Sequence, residues 1–144
     1  MVRKILLAYD GTREGRVALL ECGEIAPLLQ AELHLLAVMR VPSGVFLAEG
    51  YVPEAVMMAE KQRFQEIVEE GVALLTKGGY AAQGHLAFGE PVEAICRKAE
   101  ELGTELIVVG HRKQTSFAAR WWKGSVGMSL LECAPCSVLI AIGK

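Results

Sequence analysis

The stretch Leu106–Val126, LIVVGHRKQTSFAARWWKGSV, decides how the rest of the chain is read. Its opening LIVV is too short for a helix and rich in β-branched residues, the pattern of a strand buried on both faces. The apolar run stops at Gly110, where a residue without a side chain lets the backbone turn sharply and a ligand come close. A polar, basic loop follows, and Gly124-Ser125-Val126 opens a helical pattern. Strand, glycine, loop and then Gly-Ser at a helix start suits phosphate, because first-turn amides point outward and carry the positive end of the helix dipole.

The charges around this stretch agree with that reading. No acidic residue lies between Glu105 and Glu132, whereas Arg112, Lys113, Arg120 and Lys123 all do. The whole chain carries a formal charge of −2, so a cationic patch sits inside an acidic molecule. Such a patch points to a small anionic ligand and away from nucleic acid, which generally selects a basic domain. The rival reading is a solvated loop with a few basic residues.

Working outward, the flanking sequence alternates strand and helix. Arg3–Tyr9 is apolar almost throughout and predicts a central parallel strand closed by Asp10-Gly11-Thr12, ordinary turn chemistry. Residues 15–30 carry an apolar stripe at helical spacing, and Ala31–Val41 supplies a second strand. Ser43–Pro53, with two glycines and a closing proline, predicts a loop or lid. Glu54–Lys77 predicts a long helix stopped by Gly78-Gly79, and Tyr80–Phe88 a third strand. Pro91 suits a first helical residue with Glu90 before it, and that helix ends near Leu102 at Gly103. Leu106–Val109, the helix within Gly124–Glu132, and Ser137–Ile142 complete the series. Five strands alternating with four helices imply a single-domain α/β fold over residues 1–144: an open parallel sheet with helices on both faces.

Composition narrows the class further. Of 144 residues, 52% are apolar and 22% charged, which excludes a disordered chain. No apolar run approaches the ~20 residues of a membrane span, and the N-terminal run breaks at Asp10, too soon for a signal peptide. A cytoplasmic protein without a membrane or nucleic-acid partner is expected. The four cysteines, Cys22, Cys96, Cys133 and Cys136, are expected to be reduced and packed. Cys133-Ala-Pro-Cys136 is formally a CxxC, but it ends a helical pattern, whereas a redox CxxC begins one. His34 and His85 fall in strands and read as structural.

KILLAYDGT at the start, the strand-Gly-loop-Gly-Ser segment and the closing CAPCSVLIAI together resemble the universal stress protein family along essentially the whole chain. The resemblance implies an adenine nucleotide α-hydrolase-like, Rossmann-like sheet of strand order 3-2-1-4-5. In such sheets a ligand lies beyond the carboxyl ends of the strands where the winding reverses, here between the loops after strands one and four. The family's nucleotide binders carry a signature of G, two residues, G, nine residues, then G and Ser or Thr. Gly110, Gly124 and Ser125 match its ends. Lys113 stands where the second glycine belongs, and the Gly110 to Gly124 interval is one residue longer than the pattern.

Carried over by position, the resemblance places Asp10 at ribose or adenine, and Ala8 and Val38 around the adenine. Val109 and Gly110 fall at the floor of the ribose-phosphate site, with Arg112 beside the phosphates. Gly124, Ser125 and Val126 become phosphate donors at the helix start. Lys113 either pairs with a terminal phosphate as a point charge or closes a lengthened loop over the pocket. Asp10 has a plainer rival role in closing its turn, and Ser125 in capping its helix. Trp121 and Trp122 point about 100° apart if helical, so at most one is fully buried and the other covers the crevice or meets another subunit; the rival reading is that both are core or shoulder packing.

The leading expectation is a stress- or energy-responsive binding module for ATP or AMP, with Mg²⁺ as a possible companion and at most slow ATP hydrolysis. The alternative is a dimeric interaction protein that has lost the nucleotide. A thiol redox protein using Cys133 and Cys136 stands last. SVLIAI is apolar, yet the expected strand order puts it at an edge, which invites pairing with a second chain. A homodimer through Ser137–Ile142 is therefore expected.

Overall fold

The computed structural model describes residues 1–40, 54–112 and 126–143, with side chains from Ser129 onward in the last segment. These residues form β1 (Lys4–Ala8), α1 (Arg13–Leu29), β2 (Glu32–Met39), α2 (Glu54–Lys77), β3 (Ala82–Phe88), α3 (Pro91–Leu102), β4 (Leu106–Arg112), α4 (Val126–Cys133) and β5 (Ser137–Gly143). All four strand pairings are parallel, and the order is β3-β2-β1-β4-β5, as expected. The 43–53 loop, the basic segment from Lys113, and Trp121, Trp122, Gly124 and Ser125 lie outside the described residues.

Burial on both faces explains the continuous apolar strands. Ile5, Leu7, Leu33, Leu35 and Val108 turn to the face covered by α1 and α2. Leu6, Leu36, Ile107 and Val109 turn to the face where Ile95 and Ala99 of α3 and Leu130 of α4 pack. Alternate residues of one strand thus feed two cores, so no polar alternation survives in the sequence.

The helix ends follow local chemistry. The Thr12 Oγ1 accepts a hydrogen bond from the Gly15 amide at 3.1 Å, capping α1. A Glu90 carboxylate oxygen accepts from the Glu93 amide at 3.2 Å, and Pro91 opens α3. Gly103 ends α3 at φ 68°, where it avoids the Cβ penalty.

The fourth strand corrects the expectation for Gly110. The backbone does not turn there: β4 continues to Arg112, paired with β5 through Gly143. A Cβ built on Gly110 would stand 2.2 Å from the Glu14 carbonyl oxygen and 3.0 Å from the Gly15 nitrogen. The glycine therefore lets the first turn of α1 lie directly on β4. Sequence offers the same symbol for a turn, a ligand approach and a backbone contact, and the structure shows the backbone contact in place of the turn.

Candidate functional site

The site begins as a notch in the sheet. β1 stops at Ala8, level with Leu36 of β2, while β2 continues through Ala37, Val38 and Met39 alongside β3. On the other side Leu7 pairs with Val108, and β4 runs on through Val109 to Arg112 alongside β5. The central strand is thus overshot by both neighbours, by about 10 Å at ~3.3 Å per residue. The winding reverses at this point, because β2 lies to one side of β1 and β4 to the other.

A cleft of about 550 Å³ opens from the notch, a size suited to a small molecule. Ala8, Asp10, Val38, Val109, Gly110 and Arg112 all line it, so six of the expected positions, distant in sequence, meet around one space. Val126 is the first residue of α4. Lys113, Gly124 and Ser125 lie outside the described residues.

Asp10 has two duties. Its Oδ1 accepts hydrogen bonds from the Thr12 amide at 3.0 Å and the Thr12 hydroxyl at 2.5 Å, so it closes the turn into α1. The side chain is nevertheless exposed and lines the cleft. No hydrogen bond from a described residue engages its other oxygen, Oδ2. Turn closure orients the carboxylate, and the second oxygen faces no competing donor among the described residues. A positioned acceptor of this kind suits a vicinal diol or an amino group.

Beneath the turn, Tyr9 is buried and its hydroxyl donates to Glu70 at 3.4 Å. The Arg16 guanidinium donates to the same Glu70 oxygen at 2.5 Å. Burial, offset in part by the hydrogen bond with Arg16, holds the Tyr9 phenol above its ordinary pKa. This set ties the end of β1 and the start of α1 to α2. The pair itself is exposed, so its energetic contribution is small and its role is alignment.

The chain matches a model of the universal stress protein family over residues 1–141. It is 33% identical to the universal stress protein YxiE of Bacillus subtilis, over 97% of this chain and 99% of that one. The chain belongs to the universal stress protein family.

Solved structures agree with the fold. A universal stress protein family member from Burkholderia pseudomallei superposes with a TM-score of 0.76 at 27% identity, covering 96% of this chain and 95% of the other. A universal stress protein in complex with cAMP gives 0.73 at 20% identity, covering 96% of each chain. A family protein of Arabidopsis thaliana with AMP bound gives 0.68 at 16% identity, covering 99% and 92%.

In this universal stress protein the cleft also draws on residues that sequence reasoning did not single out. Leu36, Pro91 and Ile95 add apolar wall, and Arg40, Arg63 and Phe64 add a second, partly cationic side. Arg63 lies over the Phe64 ring at 5.5 Å and pairs with Glu60 at 3.4 Å. Nothing in residues 54–77 distinguishes Arg63 from any solvated helix face, and Phe64 reads as part of that helix's apolar pattern. Arg40 carried a weak signal, since it follows Val38 and Met39 at the end of a strand bordering the reversal. His111, which falls in the stretch after Gly110 expected to be loop, lies in β4 and lines the cleft.

The cysteines correct another expectation. Cys22 is buried and its thiol is pushed up to about 12, chiefly by burial. Cys96 and Cys136 are half-buried, but Cys133 is exposed instead of packed. The sulfur facing Cys133 is that of Cys96, at 3.7 Å. Among the described residues, no three His, Cys, Asp or Glu side chains are grouped to hold a metal ion, and no helix is long and apolar enough to cross a membrane.

Proposed function

We propose that the protein binds an adenine nucleotide in the notch between β2 and β4, as a binding module responsive to stress or energy state. The observation that carries this reading is the convergence of Asp10 with Ala8, Val38, Val109, Gly110 and Arg112 on one cleft at the winding reversal. Ala8, Leu36, Val38 and Ile95 supply an apolar slot for a flat heterocycle, with strand-end backbone groups nearby to read its edge. Asp10 accepts from the ribose hydroxyls. Phosphate leads toward Arg112 and onward to Lys113 and the α4 start at Gly124, Ser125 and Val126, where amides and a hydroxyl act as donors. The cAMP- and AMP-bound proteins of the same fold support the ligand class.

ATP and AMP are the proposed ligands. Mg²⁺ accompanying ATP would draw mainly on phosphate oxygens and water. No residue is assigned a catalytic role. The protein is further proposed to be cytoplasmic and to form a homodimer through β5, an edge strand whose Ile142 is 47% exposed. Light scattering at micromolar concentration tests the dimer, and a monomer overturns it.

The ligand is tested by denaturing purified protein and analysing the supernatant, followed by titration of the stripped protein with AMP and ATP. Bound or titratable nucleotide is the expected result, with affinity lowered at least tenfold in Asp10→Ala. One observation favours a second reading: Lys113 replaces a signature glycine and the interval to Gly124 is longer by one. A dimer with no nucleotide released and none titrated at millimolar ligand would establish that reading, an interaction protein with an empty family fold.

A further inference from the structure

We propose that Cys96 and Cys133 form a peroxide-sensitive dithiol site, which closes to an intramolecular disulfide joining α3 to α4. The two sulfurs are 3.7 Å apart although the residues are separated by 37 positions. That is van der Waals contact, so bond formation requires small side-chain rotations and a slight approach of two packed helices, with no refolding. The thiols are also held in place. The Cys133 thiol donates to the Ser129 carbonyl at 3.4 Å, and the Cys96 thiol finds the Cys133 carbonyl at 3.7 Å.

Exposure assigns the order of events. Cys133, the last residue of α4, is exposed and meets a dissolved oxidant first. Cys96 is half-buried behind it; burial, followed by the hydrogen bond with Cys133, pushes its thiol up to about 11, which keeps it protonated at neutral pH. The Cys133 thiolate attacks hydrogen peroxide: an S–O bond forms, the O–O bond breaks, and hydroxide leaves to become water on protonation. The Cys96 sulfur then attacks the sulfenic sulfur. An S–S bond forms, the S–O bond breaks, and a second water leaves with the Cys96 proton. The two sulfurs together lose two electrons, and one peroxide becomes two waters.

The alternatives are less well placed. Cys22 is sealed in the core on the opposite face of the sheet. Cys136 packs against the apolar cluster that includes Ile107 and Leu130, and burial raises its thiol pKa. The sequence-adjacent CxxC is therefore not the reactive pair. The consequence is structural: Pro91 and Ile95 of α3 line the cleft, so oxidation ties one of its walls to α4.

Hydrogen peroxide treatment of the reduced full-length protein tests the proposal, followed by thiol blocking, digestion without reductant and peptide mapping by mass spectrometry. The expected product is a linked peptide pair containing Cys96 and Cys133, lighter by two hydrogens, reversed by dithiothreitol and retained in Cys136→Ser. Cys96→Ser is expected to leave Cys133 as a dimedone-reactive sulfenic acid that the unaltered protein shows only transiently. A Cys133–Cys136 link, a link between two chains, Cys133 sulfinic acid with Cys96 unmodified, or no oxidation of either residue would each overturn it. Mapping of the unaltered protein decides the matter even if a variant fails to fold.

Discussion

Beneath α1 and α2 the sheet meets helices at three glycines set among large side chains, whereas beneath α3 and α4 the described contacts run through apolar side chains. On the first face a Cβ on Gly71 would come within 2.5 Å of Leu35, one on Gly84 within 2.5 Å of Val68, and one on Gly110 within 2.2 Å of the Glu14 carbonyl. On the second face the described contacts run through Leu6, Leu36, Ile95, Ile107, Val109 and Leu130. At Gly71 and Gly84 a side chain, Leu35 or Val68, fills the place a Cβ would take, whereas at Gly110 backbone meets backbone, which fixes position and leaves no slack. Interdigitated side chains fill volume and can repack. The first face accordingly sets the Asp10 turn against β4, while the second accommodates the neighbouring thiols and the two histidines.

This contrast can be broken most forcefully on the side-chain face, by removing volume. Leu130→Ala takes a fully buried side chain from the α4 contact and is expected to cost about 2–5 kcal/mol in urea denaturation. A loss below the low end would mean that α4 contributes little to this core.

Adding a single methyl tests the opposite face. Gly110→Ala is expected to cost about 3 kcal/mol, since the clash is with the Glu14 backbone and no rotamer relieves it. It should also weaken nucleotide binding more than Leu130→Ala does, because α1 carries the Asp10 turn. Unchanged stability would show that the two faces do not differ in the manner described.

Thr12→Ala sharpens the picture of the turn. It removes the helix cap and the hydroxyl held by Asp10, with an expected cost of about 1 kcal/mol. Equal thermal midpoints for the variant and the parent protein would show that solvent replaces the cap.

The smallest effect belongs to the histidines. His34, buried, shares a ring-nitrogen hydrogen bond of 2.9 Å with His85 and meets Glu32 at 2.7 Å through its other nitrogen. Burial, then the neighbouring His34, lowers the His85 pKa below its ordinary 6.5. The unfolded chain therefore binds the His85 proton more readily than the folded one. His85's contribution to stability is complete above pH 6.5 and declines as pH falls from there through the lowered value. Thermal midpoints measured from pH 8 to 5 should fall less for His85→Phe than for the parent; parallel curves would refute the assignment.

How much was legible varied with the distance over which the deciding contact acts. The strands could be read because LIVV and KILLAY carry two-faced burial in their own composition. The caps at Thr12 and Glu90 are settled within four residues. Gly110 was misread because its constraint comes from Glu14, nearly a hundred positions earlier. The pairing of Cys133 was hidden by the nearer Cys136, since sequence proximity competes with a contact that exists only when α3 lies beside α4. Arg63 looked like solvated surface and Phe64 like part of its helix's apolar pattern, because neither arrangement by itself marks a cleft wall.

By itself, then, the amino-acid order determined the alternation of strand and helix, the turn at Asp10 and the family to which the chain belongs. Each depends on apolar periodicity and hydrogen bonds among near neighbours. Tertiary structure alone decided that β1 stops short of its neighbours, that the glycine of β4 receives a helix backbone, and which thiols meet. Those outcomes depend on packing between segments far apart in the chain, and their distances are set only when both cores close around the sheet.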